Sequence, residues 1–195
     1  MYPLGKLLIR KKWGGFGAMM LMALDLMHFT QTRIATIDSY AVFFILLMYL
    51  FMYLFVSEDP DASDFSRARQ TRNLFLSGLF FGLGAASKWT CFYAGAGLAL
   101  IWLLHWIFRA VHLRKSDRKD EFLPELAGNI GLCLVFFVLI PGIIYYLSYI
   151  PYGRAKGMSG FAMLLDKDYL STVWENQRFM FRYHSGVNAT HPYSS

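Results

Sequence analysis

Arg33 and Asp38 bracket a polar string, Gln31-Thr-Arg-Ile-Ala-Thr-Ile-Asp38, that separates two apolar runs. A charge at a bilayer boundary is costly and is retained where it serves a purpose. The planar fork of a guanidinium suits phosphate oxygens, so Arg33 is a candidate grip on an anionic headgroup. Asp38 would orient that grip or meet a sugar hydroxyl. The competing reading is an interfacial ion pair, with Asp38 placed near a helix N-terminus where negative charge is favoured. Lys88, in Gly82-Leu-Gly-Ala-Ala-Ser-Lys-Trp89, is a second cation of the same kind. It is either a point charge for a lipid phosphate or a side chain that snorkels to water beside an interfacial tryptophan. Asp25 and His28, three residues apart inside the first apolar run, share one helix face. An acid at mid-membrane costs about 2.5–3.5 kcal/mol. The pair either lines a polar cavity or is satisfied by its neighbours, and for Asp25 the structural role is favoured.

Other patterns carry less. The separation of His184 and His191 fits no common ligand spacing, so no metal site is expected. Gly78, Gly82 and Gly84 faintly resemble a nucleotide loop, but inside an apolar run they read as a close-packing surface. Cys91 and Cys133 are isolated, giving neither a disulfide framework nor a metal motif. Asn188-Ala-Thr190 has the pattern of a glycosylation acceptor.

These residues must be positioned by membrane helices. The chain is 56% hydrophobic and only 16% charged, against roughly 25% charged in soluble domains. Its basic residues fall in short blocks between apolar runs, which argues against nucleic-acid binding. Five runs are predicted as spans, at about 13–30, 39–56, 73–87, 91–108 and 126–150, given the need for about 20 residues each. The expected fold is all-α and integral to the membrane: a multi-span bundle over 1–150, then a segment 151–195 on the far side. In that segment, apolar residues from Phe161 to Phe181 recur at roughly helical spacing and predict a helix lying on the membrane surface.

Basic residues set the orientation. Twelve of them fall in the N-terminal segment and the loops 57–72 and 109–125, whereas the two opposite turns hold only Arg33 and Lys88. The positive-inside rule then puts the N-terminus in the cytoplasm. Arg33, Asp38, Lys88 and the 151–195 segment are expected on the outer face of a cell membrane, or the lumenal face of the endoplasmic reticulum in a eukaryote.

The strings His28-Phe-Thr-Gln-Thr-Arg-Ile-Ala-Thr-Ile-Asp-Ser-Tyr40, Gly82-Leu-Gly-Ala-Ala-Ser-Lys-Trp89 and His191-Pro-Tyr-Ser-Ser195 occur here in the order seen in protein O-mannosyltransferases. The chain resembles this family, of the GT-C class, most closely its bacterial branch. The resemblance implies transfer of mannose from a polyprenyl-phosphate-mannose lipid to a Ser or Thr hydroxyl of a protein, on the outer face and without a cofactor. It gives Arg33 and Lys88 to the donor phosphate, with Asp38, Gln31 and His28 in supporting roles. It places His191, Pro192 and Tyr193 in an active-site loop. The family's catalytic acid belongs to an Asp-Glu pair in a first outer loop, which has no counterpart in this sequence. The chain therefore reads as a fragment lacking both ends and inactive alone, with no residue assignable as general base. Two other readings stay open: a GT-C transferase passing a lipid-linked sugar to a different acceptor, and a non-catalytic or transport membrane protein using Asp25, His28 and Arg33 as an ion path.

Overall fold

The computed structural model describes residues 1–34, 36–158 and 160–186, and the elements found there are helical, with no strand among them. The chain divides into two compact units, Met1–Tyr145 and Tyr146–Ser195.

In the first unit, α1 (Tyr2–Ile9) and α2 (Lys12–Leu24) form a hairpin, turned at Arg10 in the left-handed region (φ 56°). The sequence gives one apolar run through residues 13–30, but α2 stops at Asp25 and α3 (Leu26–Arg33) starts afresh. The Asp25 carboxylate accepts from the Met27 backbone N–H at 3.1 Å. It thus serves a donor that the new helix would otherwise leave unserved. This is a structural role for Asp25, and it interrupts a run that hydropathy alone cannot divide.

Four longer segments follow: α4 (Ile37–Val56), α5 (Arg67–Ser87), α6 (Thr90–Lys115) and α7 (Lys119–Leu134), which continues through a π-helical turn (Val135–Leu139) into α8 (Ile140–Leu147). Their pairings fix an up-down-up-down bundle. Between α4 and α5, Ser77 Oγ donates to Met48 O at 2.9 Å, while Gly84, later on α5, lies against Phe44, earlier on α4, so the two run antiparallel. Trp102 Nε1 donates to Asn129 Oδ1 at 2.7 Å and Arg109, later on α6, pairs with Glu125, earlier on α7, so these two helices are antiparallel as well. Met48, Met52, Phe55, Leu74 and Leu98 fill the centre. Glycines let backbones touch: a Cβ on Gly82 would lie 2.9 Å from Pro141 Cα, and one on Gly78 would overlap the carbonyl of Phe136. The π turn has a local cause. Pro141 lacks an N–H and would crowd the carbonyl of Phe137, and the wider turn just before it relieves both problems.

Among the described residues, three segments are long and apolar enough to cross a membrane: α4, α6 and the run Lys119–Ala155 that contains α7 and α8. Helix α5 has 21 residues, but its first turns carry Arg67, Arg69 and Arg72. The architecture is that of a multi-span helical membrane protein.

The second unit holds α9 (Ile150–Ala155), a 3-10 turn (Phe161–Leu165) and α10 (Lys167–Ser185), which Asp166 caps by accepting from Asp168 N. Buried Tyr169 packs edge-on against Tyr146 and donates its hydroxyl to the Tyr146 carbonyl at 2.8 Å. Tyr146 in turn donates to Leu164 O at 2.5 Å.

Candidate functional site

Two polar clusters mark opposite ends of the α4–α8 bundle. At one end lie the first turn of α4, the α5–α6 turn and the end of α8. Helix α5 ends because Lys88 adopts an extended backbone (φ −155°, ψ 138°), and α6 restarts two residues later. The break turns the Lys88 side chain toward α4, where its ammonium pairs with the Asp38 carboxylate; both side chains are about one-third exposed. Next to it, Trp89 Nε1 donates to the Tyr145 hydroxyl at 3.2 Å. Phe92 lies edge-on to both rings. Buried Cys91 packs beneath, its sulfur 3.9 Å from the Ala41 carbonyl. A cation, an acid and an aromatic cluster thus share one bundle end and stay in reach of solvent.

Arg33 ends α3, and Asp38 opens α4 after a short turn. Arg33 is exposed, with its guanidinium 5.5 Å above the Phe29 ring. Asp38 takes Lys88, not Arg33, as its ionic partner. That leaves Arg33 at the chain position expected for a grip on an anion, resting on an aromatic face. His28 is half-buried on α3, and the backbone of Gln31 belongs to the same helix. His191, Pro192 and Tyr193 lie outside the described residues.

The other end is an ionic network built on Asp61. Its carboxylate accepts from Arg109 Nη1 at 2.5 Å and from Arg118 Nη1 at 2.7 Å. Arg109, with a side chain only 6% exposed, also holds Glu125 through two bonds of 3.0 and 3.1 Å. Arg118 holds Glu121 in the same forked manner. Hydrogen bonds from Arg118 and then Arg109 lower the Asp61 pKa from 3.8 to about 2. The network joins the α4–α5 loop to the α6–α7 turn. Its donors are largely used by protein acceptors, so it reads as a brace.

Sequence reasoning counted Arg109 and Arg118 only as loop charges and did not find the brace. It also placed Trp89 with the interfacial aromatics and missed Tyr145, since the two are 56 residues apart and no local pattern links them. Among the described residues, no group of three or more His, Cys, Asp or Glu could hold a metal ion.

Comparison with known families supplies what geometry alone does not. The family described as dolichyl-phosphate-mannose-protein mannosyltransferase matches residues 1–151 of the 195. The chain belongs to this family. No curated protein and no solved structure matches it. The matched region covers the whole α1–α8 bundle with Arg33, Asp38 and Lys88, so both polar ends are built within the mannosyltransferase region. Membership makes the chain one of the membrane glycosyltransferases of GT-C type, in keeping with its apolar helices.

Proposed function

We propose that the chain forms part of an enzyme that transfers mannose from a polyprenyl-phosphate-mannose lipid to Ser or Thr hydroxyls of proteins on the outer face of the membrane. The observation that carries this reading is the convergence of Lys88 and Asp38, 50 residues apart in sequence, at the bundle end where the α3–α4 turn presents Arg33.

The chemistry needs cations there. Breaking the sugar–phosphate bond leaves negative charge on a lipid phosphate, and a preplaced cation that meets it lowers the barrier. Arg33 supplies two parallel donors and Lys88 a compact charge. Asp38 holds the Lys88 ammonium in place before donor arrives and then shares it with the phosphate. Gln31 and His28 support from α3, and His191, Pro192 and Tyr193 belong to the acceptor side. A carboxylate base for the acceptor hydroxyl is assigned to no residue of this chain. The charge count supports placing the Lys88 end outside, because the Asp61 end lies among the loops rich in Lys and Arg.

Binding of radiolabelled polyprenyl-phosphate-mannose to the protein in lipid nanodiscs tests the reading. Arg33→Ala and Lys88→Ala are expected to weaken binding about tenfold or more each, the factor that corresponds to about 1.4 kcal/mol. Unchanged binding by both variants contradicts the proposal.

A further inference from the structure

A polar cavity of about 130 Å³ opens beside the Asp61 brace, between α5, α6 and α7. Its floor is apolar, made by buried Phe55 and by Leu132. Arg67, Gln70 and Thr71 enter from α5 and Trp106 from α6, while Arg109, Glu125 and Asn129 close the other side. Arg67 and Gly128 are exposed at its edge, and a Cβ on Gly128 would meet nothing within 4 Å, so that side is open.

Hydrogen-bond accounting gives the chemistry of what would fit. The acceptors in the wall are already used. Both Glu125 oxygens hold Arg109, at 3.0 and 3.1 Å. Asn129 Oδ1 takes the Trp102 indole N–H at 2.7 Å and lies 3.6 Å from the Cys133 thiol. The donors are unused. Among the described residues, the Arg67 guanidinium, the Gln70 amide and the Thr71 hydroxyl have no partner. Trp106 is 7% exposed, and its buried Nε1–H has no acceptor. Arg67, Gln70 and Thr71 stand at i, i+3 and i+4, so α5 presents them on one face. They also belong to the start of that helix, where its dipole favours negative charge. Unused donors facing used acceptors match a ligand built of acceptor oxygens.

We propose that this cavity binds the phosphodiester headgroup of an anionic phospholipid, with Arg67 gripping the phosphate and Gln70, Thr71 and Trp106 donating to the remaining oxygens. A guanidinium fork suits phosphate oxygens. Depth favours a lipid over a soluble anion. Arg109 and Glu125 stand at the boundaries of the apolar runs 91–108 and 126–150, so the cavity lies where hydrocarbon meets headgroups. Basic pockets between helices at that level are known to hold anionic headgroups. Charge favours an anionic lipid over a zwitterionic one, because Glu125, spent on Arg109, leaves no carboxylate in the described wall to receive an ammonium. A bound headgroup would tie the start of α5 to the α6–α7 side of the brace and stabilise the fold by mass action.

The test is titration of the full chain in detergent with dioleoyl phosphatidylglycerol or dioleoyl phosphatidylcholine, with bound lipid counted by native mass spectrometry. Phosphatidylglycerol is expected to bind about tenfold more tightly than phosphatidylcholine and to raise the unfolding temperature. Arg67→Ala is expected to lower phosphatidylglycerol affinity about tenfold. Trp106→Phe keeps a ring, removes the N–H and is expected to lower it about threefold. Arg114→Ala removes an exposed cation at the same bundle end that does not line the cavity, and is expected to leave affinity unchanged. Unfolding temperatures in detergent without added lipid show that each variant is folded, and Arg67→Ala, at an exposed position, carries the test should Trp106→Phe unfold. Equal affinity for the two lipids overturns the proposal. So does an equal loss from Arg67→Ala and Arg114→Ala, which would mean a diffuse surface charge. Displacement of phosphatidylglycerol by millimolar inorganic phosphate also overturns it and gives the cavity to a soluble anion.

Discussion

The indole N–H of Trp89 reaches the hydroxyl of Tyr145 at 3.2 Å, tying the α5–α6 turn to the end of α8. Lys88 is the neighbouring residue, so this bond helps fix where its ammonium lies. Tyr145→Phe removes the acceptor and keeps the ring against Phe92. It is expected to lower stability by on the order of 1 kcal/mol and to weaken donor binding as well. Thermal unfolding in detergent alongside the donor-binding assay checks both. A loss of stability with unchanged donor binding confines Tyr145 to packing.

The brace at the opposite end has a defined pH signature. Asp61 is held at about 2, against an ordinary 3.8, by its bonds to Arg118 and Arg109. A depressed carboxylate stabilises the fold above its unfolded value, and that contribution disappears as pH falls toward the folded value. Asp61→Asn is therefore expected to cost on the order of 1 kcal/mol at neutral pH, allowing for solvent screening. The gap from the parent protein should narrow between about pH 4 and pH 2. Unfolding midpoints measured across that window decide it, and a gap that stays constant excludes the assigned role.

Two glycines separate packing from propensity. At Gly78 an added Cβ would overlap the Phe136 carbonyl and lie 2.8 Å from its carbon, both backbone atoms of the π turn that cannot move aside. At Gly128 an added Cβ has nothing within 4 Å. Gly78→Ala is expected to destabilise by about 1–3 kcal/mol through overpacking. Gly128→Ala is expected to stabilise by up to about 1 kcal/mol through helix propensity. Melting temperatures of the two variants should move in opposite directions.

Orientation can be read by thiol labelling in a Cys91→Ser, Cys133→Ser background. Cysteines at the exposed positions Thr90 and Ser185 are expected to react with an impermeant reagent added outside intact cells. One at exposed Ser116 is expected to react only after the membrane is opened. Outside labelling of Ser116→Cys reverses the assigned sidedness.

The helical membrane class was legible because composition and apolar runs report it directly. The family was legible because the strings around Arg33 and Lys88 are specific enough to be matched. Local exceptions were harder. The division at Asp25 turns on one carboxylate capping one backbone N–H, with apolar residues continuing on both sides. The π turn had a visible cause in Pro141, but a proline alone does not say whether a helix will kink, widen or stop. Lys88 and Asp38 were each legible as polar residues at a span boundary. Their pairing depends on how α4 and α5 pack over 20 residues or so, which no short motif encodes. The Asp61 brace was invisible for the same reason: its members come from three separate stretches of chain.

Charge-conserving replacement at Lys88 is the most direct measurement of the central claim. Donor binding is compared for Lys88→Arg, Lys88→Ala and Asp38→Asn in nanodiscs, with stability followed in parallel. If Lys88 meets the lipid phosphate, Lys88→Ala loses donor by about tenfold or more while Lys88→Arg retains most of it, and Asp38→Asn has an intermediate effect. If Lys88→Ala and Asp38→Asn lower stability equally and donor binding follows stability alone, the pair is a structural clasp and the donor site lies elsewhere.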